Sequence, residues 1–251
     1  MTLKVVSWNM RHTKDAWYYL VNELNPDVAL LQESPEIPKD IDENLIIRHI
    51  AKQNWGNAIY VKNLKQKEVE IETKYEGSLL VSAVNLNDGS RIFFINIYGI
   101  IERAPDNKEF GLVNAGTHRM LSDLAFLLMG KTRYTKNYTE KRFIMSGDFN
   151  MDRRMDDNPT IKFVKKGQRT TNIVFDRVLD FGFYDCLKKS YPDFVQTYRH
   201  YRNKENYPWQ IDHMFATKKE YDSLKKIEVM LNHEIEKISD HNPIVAEFEF
   251  N

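Results

Sequence analysis

Two short stretches crowd acid, amide and imidazole groups together: GDFN at residues 147–150 and SDHNPI at 239–244. In the first, the apolar run Phe143-Ile144-Met145 gives way to Asp148 and Asn150, a carboxylate and a carboxamide two residues apart. In the second, Asp240 and His241 stand just ahead of another apolar run. Polar groups close further apolar runs: Asn9 after LKVVSW, Glu33 after VALLQ, Tyr98 after RIFFINI, and Asp212 inside WQIDHMFA. A hard divalent cation takes several oxygen ligands, which Glu33, Asp240, Asn9 and Asn150 can supply. Phosphate ester hydrolysis uses such a cation to neutralise developing charge, and a base to activate water. His241 is the candidate base, and a carboxylate such as Asp212 can hold its ring in one tautomer. Each residue alone has a plainer reading: turn chemistry for Asp148, a surface ion pair for Glu33, core packing for Tyr98. Their shared place at the ends of apolar runs argues for a site.

The elements that must position these groups follow from pattern. LKVVSWN (3–9) reads as a buried strand, and Trp17, Leu20, Val21 and Leu24 recur at helical spacing up to the NPD at 25–27. VALLQE (28–33) is a second strand, so strand, helix and strand form a crossover unit with a parallel pair. NAIYV (57–61), EVEIET (68–73) and GSLLVSAVNL (77–86) predict successive antiparallel strands, and NDG (87–89) a tight turn into RIFFINIY (91–98). A long helix is expected next, with Val113, Met120, Leu121, Leu124 and Leu128 on one side, then the strand of RFIMSGDFN. The remainder predicts a helix at about 171–181 and strands near 195–199, 210–216, 226–231 and 244–250. With no repeat, linker or boundary signal, residues 1–251 are expected to form one α/β domain, two packed mixed sheets between helical layers.

Bulk properties narrow the class. The chain has 251 residues, 42% of them hydrophobic, which is enough for a large core. A single cysteine, Cys186, excludes an internal disulfide framework and a multi-cysteine zinc site, and fits a reducing, cytoplasmic compartment. The N-terminal MTLKVVSWNM is too polar for a secretory leader and no apolar run reaches spanning length, so no membrane insertion is expected. Net charge is zero, from 36 basic and 36 acidic residues, so no global pull toward nucleic acid exists. Three segments are locally basic, at 131–142, 162–169 and 198–204, the last with Tyr198 and Tyr201 between its cations. Solvated loops explain any one of them; together they favour a phosphate-rich partner, since Lys and Arg neutralise phosphates and tyrosine stacks on bases.

The pieces SWNM (7–10), LLQE (30–33), GNAIY (56–60), NIY (96–98), GDFN, QIDHMF (210–215) and SDHNPI span nearly the whole chain. In this order they resemble the endonuclease/exonuclease/phosphatase superfamily of metal-dependent phosphoesterases. The resemblance implies a four-layer α/β sandwich with a site at one edge of two facing sheets. It implies Glu33 as direct ligand of Mg2+ or Mn2+, with Asn9 beside it and Asp240 completing the shell. It implies His241 at the scissile phosphate or activating water, Asp212 orienting that ring, and Asp148 positioning the attacking water or serving the leaving oxygen. Asn150 would hold a phosphate oxygen, and Tyr98 matches the tyrosine of AP-endonuclease-like members.

The chain also departs from that branch. Tyr98 is followed by GIIERAP, Gln210 stands where a basic residue is usual, and His213 where an aromatic is usual. The metal residues are untouched by these changes, but recognition of a DNA lesion is not implied. On an alternating strand His213 should point away from Asp212. His12, His49, His118, His200 and His233 have no such company and read as structural or surface residues. The expectation is a monomeric phosphodiesterase, a nuclease on DNA or RNA. The alternatives are a phosphatase or phosphodiesterase of a nucleotide, inositol phosphate or lipid headgroup, and a catalytically silent binding module.

Overall fold

A computed structural model describes residues 1–51, 56–103, 112–113, 115–136, 140–156, 171–199 and 208–250, with the backbone alone at 102–103 and 112–113. In chain order the strands are β1 (Thr2–Asn9), β2 (Val28–Ser34), β3 (Ile46–Ile50), β4 (Gly56–Val61), β5 (Lys65–Glu68), β6 (Leu79–Asn85) and β7 (Arg91–Tyr98). They continue with β8 (Glu102–Arg103), β9 (Leu112–Val113), β10 (Phe143–Asp148), β11 (Phe183–Asp185), β12 (Asp212–Thr217), β13 (Leu224–Val229) and β14 (Ile244–Glu249). The helices are α1 (Asp15–Tyr19, prolonged by a wider turn over Leu20–Leu24), α2 (Ala115–Asp123), α3 (Ala125–Leu128), α4 (Asn172–Asp180), α5 (Lys218–Ser223) and α6 (His233–Ile238).

Two six-stranded mixed sheets result, ordered β13-β14-β1-β2-β4-β3 and β11-β12-β10-β7-β6-β5. Each has one parallel pair near its middle, β1 with β2 and β10 with β7. Strand alternation divides side chains between layers. Val5, Leu30 and Ile144 point into a central core shared with Leu80, Phe94 and Met214, so the two sheets face each other. Val6, Leu31 and Trp8 point outward onto Trp17, Leu20 and Ile235 of the helical layer on the first sheet. Ile95, Met145 and Phe215 point outward onto Met120, Leu124 and Phe175 of the layer on the second. Helix, sheet, sheet, helix is the expected four-layer α/β sandwich. Burial on both faces explains why its central strands read as unbroken apolar runs.

Asn96 ties the sheets together beneath one edge. From β7 its side-chain amide donates to Leu31 O and Ala58 O, both at 2.9 Å, on the first sheet. It accepts from Gln32 Nε2 at 2.7 Å.

Several elements differ from expectation. The long helix is two, α2 and α3, parted at Leu124, although Leu124 N still reaches Met120 O at 3.0 Å and the apolar stripe stays buried. Val113 belongs instead to the small β8–β9 ribbon. The strand placed at 68–73 ends at Glu68: past one further bond, Val69 N to Val81 O, no ladder continues, and Val69 and Ile71 pack on the helical layer. The stretch 195–199 makes only isolated bridges from Tyr198 to Trp209 and to His241. β12 begins at Asp212, so that residue opens the strand and does not interrupt it. β3, in the stretch between VALLQE and NAIYV for which no strand was expected, pairs antiparallel with β4.

Candidate active site

Register alone gathers three of the predicted residues. Asp148 at the end of β10 lies opposite Tyr98 on β7 and opposite Asp212 on β12, so all three stand abreast at one sheet edge. Close approach makes this possible at Gly147, whose φ is +151° and where a Cβ would meet Ile97 O at 1.9 Å. On the facing sheet, β1 ends at Asn9 beside Gln32 of β2. Glu33 falls where the pairing of β2 with β4 shifts between Leu31 and Ser34, and its φ of 46° re-aims the carboxylate as bulges do. Among the described residues, non-glycine positive φ occurs at Arg11, His12, Asn25, Glu33, Asn63 and Asn150. Asn25 closes the turn after α1, whereas Arg11, His12, Glu33 and Asn150 all border the site, where backbone strain tends to concentrate.

His241 is the hub. Its Nδ1 lies 2.9 Å from Asp212 Oδ2, and its Nε2 is 3.8 Å from Asp148 Oδ2. Asp212 is fixed by its own backbone N–H, which donates to Thr197 Oγ1 at 3.0 Å. Trp8 Nε1 donates to His241 O, and Ser239 Oγ accepts from His241 N while donating to Asn9 O, which fixes the turn before β14 to the end of β1 in the first sheet, and the His241–Asp212 bond carries the link across to β12 of the second. Asp148 accepts from Asn9 Nδ2 at 3.0 Å and from Asn150 N at 2.8 Å. Burial pushes the Asp148 carboxyl up to about 7, with Asp212 adding to the rise and His241 opposing it. Burial lowers the pKa of His241, but Asp212 and Asp148 outweigh it and bring the imidazole to about 9.

Glu33 is the second focus. Tyr98 OH donates to its Oε1 at 2.9 Å, and burial, with Asp148 and Glu33 nearby, raises the Tyr98 phenol far above its ordinary range. Asp240 sits with Oδ1 3.8 Å from Arg11 Nε. Glu33, Asp148, Asp240 and His241 border one cavity of about 540 Å3, whose other wall is apolar: Ile101, Met155, Trp209 and Ile211, with Tyr198 between. The Tyr198 ring packs 4.6 Å from the imidazole of His241.

Every predicted site residue therefore reaches this edge, though not each in its anticipated posture. The Asn150 side chain donates to Gly99 O at 3.0 Å and so braces the turn. Asn9 points its amide nitrogen at Asp148 and its Oδ1 accepts from Arg11 N at 3.0 Å. His213 points away from the cavity into a cage of Phe149, Phe175 and Phe215, as alternation requires. His12 corrects the sequence reading: its Nε2 is 3.0 Å from Glu33 Oε2, so it is no bystander. Arg11 and Trp209 also border the cavity, and no motif or period marked them as site residues; Tyr198 joins them, singled out in the sequence only as a stacking residue of the 198–204 segment.

The basic segments change meaning as well. Arg142 is buried and paired with Glu220 at 2.5 Å, and Arg199 donates to Ser239 O and the side chain of Asn242. Neither is aimed at a ligand. Residues 162–169, His200 and most of 198–204 lie outside the described residues.

The donor chemistry fits a divalent cation at one place better than another. Asp148, Asp212 and His241 bring ligand atoms within 4.8 Å of one another. Yet His241 Nδ1 and Asp212 are spent on each other, and both Asp148 oxygens accept hydrogen bonds, which suits proton handling. Glu33 and Asp240 keep partly exposed carboxylates on the cavity wall, 19% and 16%, the hard oxygen donors such an ion needs.

Comparison with known proteins agrees with this fold. The model of a family described as Endonuclease/Exonuclease/phosphatase matches residues 6–241. No curated protein matched the sequence. Among solved structures, an AP endonuclease from Leishmania major is 18% identical with a TM-score of 0.72, covering 100% of this chain and 88% of that one. A 3′ phosphatase from Neisseria, bound to product DNA hairpin, is 19% identical with a TM-score of 0.72, covering 99% of this chain and 100% of that one. An AP endonuclease from Archaeoglobus fulgidus is 20% identical with a TM-score of 0.70, covering 99% and 100%.

Proposed function

Because the chain belongs to the endonuclease/exonuclease/phosphatase family, whose members are hydrolytic nucleases and phosphatases, we propose that it is a divalent-metal-dependent phosphodiesterase acting on DNA or RNA. The observation that carries the reading is the hydrogen-bonded Asp212–His241 pair facing Asp148 across 3.8 Å, beside the Glu33 and Asp240 carboxylates. An ion such as Mg2+ or Mn2+ at Glu33 and Asp240, with Asn9 beside them, would neutralise charge on the phosphoryl group and the departing oxygen.

The protein's own groups divide the remaining work. His241, held as imidazolium by Asp212, donates from Nε2 to a non-bridging phosphate oxygen. Asp148, whose pKa of about 7 suits a proton acceptor at neutral pH, takes the proton of the attacking water as that oxygen bonds to phosphorus and the ester P–O bond opens. Asn9 and the Asn150 N–H hold the Asp148 carboxylate in place, and Tyr98 fixes Glu33 through its hydroxyl. The Tyr198 and Trp209 rings on the cavity wall suit a base or sugar face. The DNA hairpin bound to the Neisseria relative supports a nucleic-acid substrate.

A smaller phosphorylated substrate is the second reading, favoured by the zero net charge and by the internal engagement of Arg142 and Arg199. A Mg2+-dependent assay with Glu33→Gln as blank separates the two. Its panel is abasic duplex, single-stranded DNA, RNA, a generic phosphodiester and a phosphoinositide. We expect cleavage of a nucleic acid, reduced roughly 100-fold or more in the variant. Turnover of the phosphoinositide alone would move the protein to the second reading. Unchanged rates in Glu33→Gln would remove the metal site from the mechanism, and no turnover of any substrate would leave a silent binding module.

A further inference from the structure

We propose that His12 is a nitrogen ligand of the cation site, and that this site consequently prefers a transition-metal ion of the Mn2+ type over Mg2+. The proposal rests on reading Glu33 as a metal ligand. It starts from a backbone detour. After β1 ends at Asn9, the chain stays paired with the end of β2: Met10 N donates to Gln32 O at 2.8 Å and His12 N to Glu33 O at 3.0 Å. Arg11 and His12 both take left-handed conformations, with φ of 48° and 57°, before Thr13 N closes a turn onto Met10 O. Two successive left-handed residues, neither of them glycine, are costly. The product of that strain is an imidazole folded back over the Glu33 carboxylate.

The geometry there is specific. Tyr98 OH occupies Glu33 Oε1 at 2.9 Å, which turns Oε2 toward His12 Nε2, 3.0 Å away. Two ligands bound cis to an octahedral ion, each at about 2.1 Å, are themselves about 3.0 Å apart. An ion held by both atoms would stand to one side of the line that joins them, so their separation already suits it and a turn of the exposed imidazole ring would bring the Nε2 lone pair onto it. His12 remains 46% exposed, so the ion has a path in from solvent. An all-oxygen set suits Mg2+, whereas an imidazole in the set raises affinity along the series from Mn2+ toward Zn2+.

Binding and spectroscopy test this without reference to turnover. His12→Gly removes the imidazole while glycine accepts the left-handed backbone, and Glu33→Gln reports on the site itself. In the wild-type protein, pulsed EPR of bound Mn2+ is expected to show coupling to a ring nitrogen. His12→Gly should lose that coupling and weaken Mn2+ binding, by calorimetry, roughly tenfold or more. Its Mg2+ affinity should change by less than about threefold, since Mg2+ draws little on the nitrogen. Mn2+ bound in a Glu33-dependent manner but with no nitrogen coupling, or with coupling that survives His12→Gly, would overturn the proposal and leave His12 as an ion-pair partner. Mn2+ binding indifferent to Glu33→Gln would instead overturn the metal-site reading beneath it.

Discussion

His241 is held between two carboxylates, and their unequal distances give it a testable titration. Burial alone would drive the proton off; Asp212 at 2.9 Å contributes the largest opposing attraction and Asp148 the next, which brings the pKa to about 9. Asp212→Asn removes the larger attraction, so the imidazole midpoint should fall by ~1 unit or more. NMR titration of the ring nitrogens reads that shift, and an unmoved midpoint would deny Asp212 its role. The sign for stability follows from the same shift. A histidine whose folded pKa exceeds its unfolded value of about 6.5 stabilises the fold fully below that value and loses the contribution as pH rises through about 9. In metal-free protein the urea-measured cost of Asp212→Asn should accordingly be larger at about pH 6 than at about pH 10. Equal costs at both would assign the loss to packing. At this scale the sequence was informative where a polar residue ends an apolar run, as with Asn9, Glu33, Tyr98 and Asp148. It was uninformative for His12, which reaches Glu33 only through two left-handed residues that no periodicity announces.

The elements explain why such distant residues meet. β7, β10 and β12 put Tyr98, Asp148 and Asp212 abreast, and the alignment depends on β10 lying close to β7 at Gly147. Gly147→Ala would place a methyl group 1.9 Å from Ile97 O, at a φ of +151° that L side chains rarely adopt. Since backbone on both sides has to shift, we expect a loss on the order of 3 kcal/mol in urea unfolding, together with disruption of the Asp148–His241 approach. A loss below about 1 kcal/mol would mean the strands separate easily at this point. Asn96 is the companion case: Asn96→Leu would take from Leu31 O and Ala58 O the bonds they accept from the other sheet and leave Gln32 Nε2 with Leu30 O alone, at roughly 1–3 kcal/mol for each buried group left unsatisfied. Unfolding midpoints within error of wild type would assign those groups to water. Strand order was readable where it was local, in the β1–α1–β2 crossover and the turn at Gly89 between β6 and β7. It failed where only tertiary contact decides. β3 exists because β4 offers it an edge, and the alternation past Glu68 makes no strand because its apolar residues have helices to pack on.

Over the whole molecule, charge is balanced, 36 against 36, so attraction for a polyanion has to be local. Two basic residues that the sequence offered for this purpose are engaged internally: Arg142 with Glu220, and Arg199 with Ser239 and Asn242. The segment 162–169 retains four cations, Lys162, Lys165, Lys166 and Arg169, and no acid, which makes it the sharpest place to ask whether a nucleic acid is steered. Each phosphate contact releases counterions, so log KM for a duplex should rise with log salt by about 0.9 per contact, and for a single strand by about 0.7. Changing all four cations to glutamine should flatten that slope by two contacts or more, while kcat on a short nucleoside phosphodiester, which carries a single phosphate, stays near wild type. Salt-dependent steady-state kinetics of the two proteins decides the matter in three ways. A steep slope that the variant loses supports a polymer lying along 162–169, and a steep slope that survives moves the steering to other cations. A flat slope in both proteins means that the 540 Å3 cavity alone selects the substrate, and that the nuclease reading gives way to a small phosphoester.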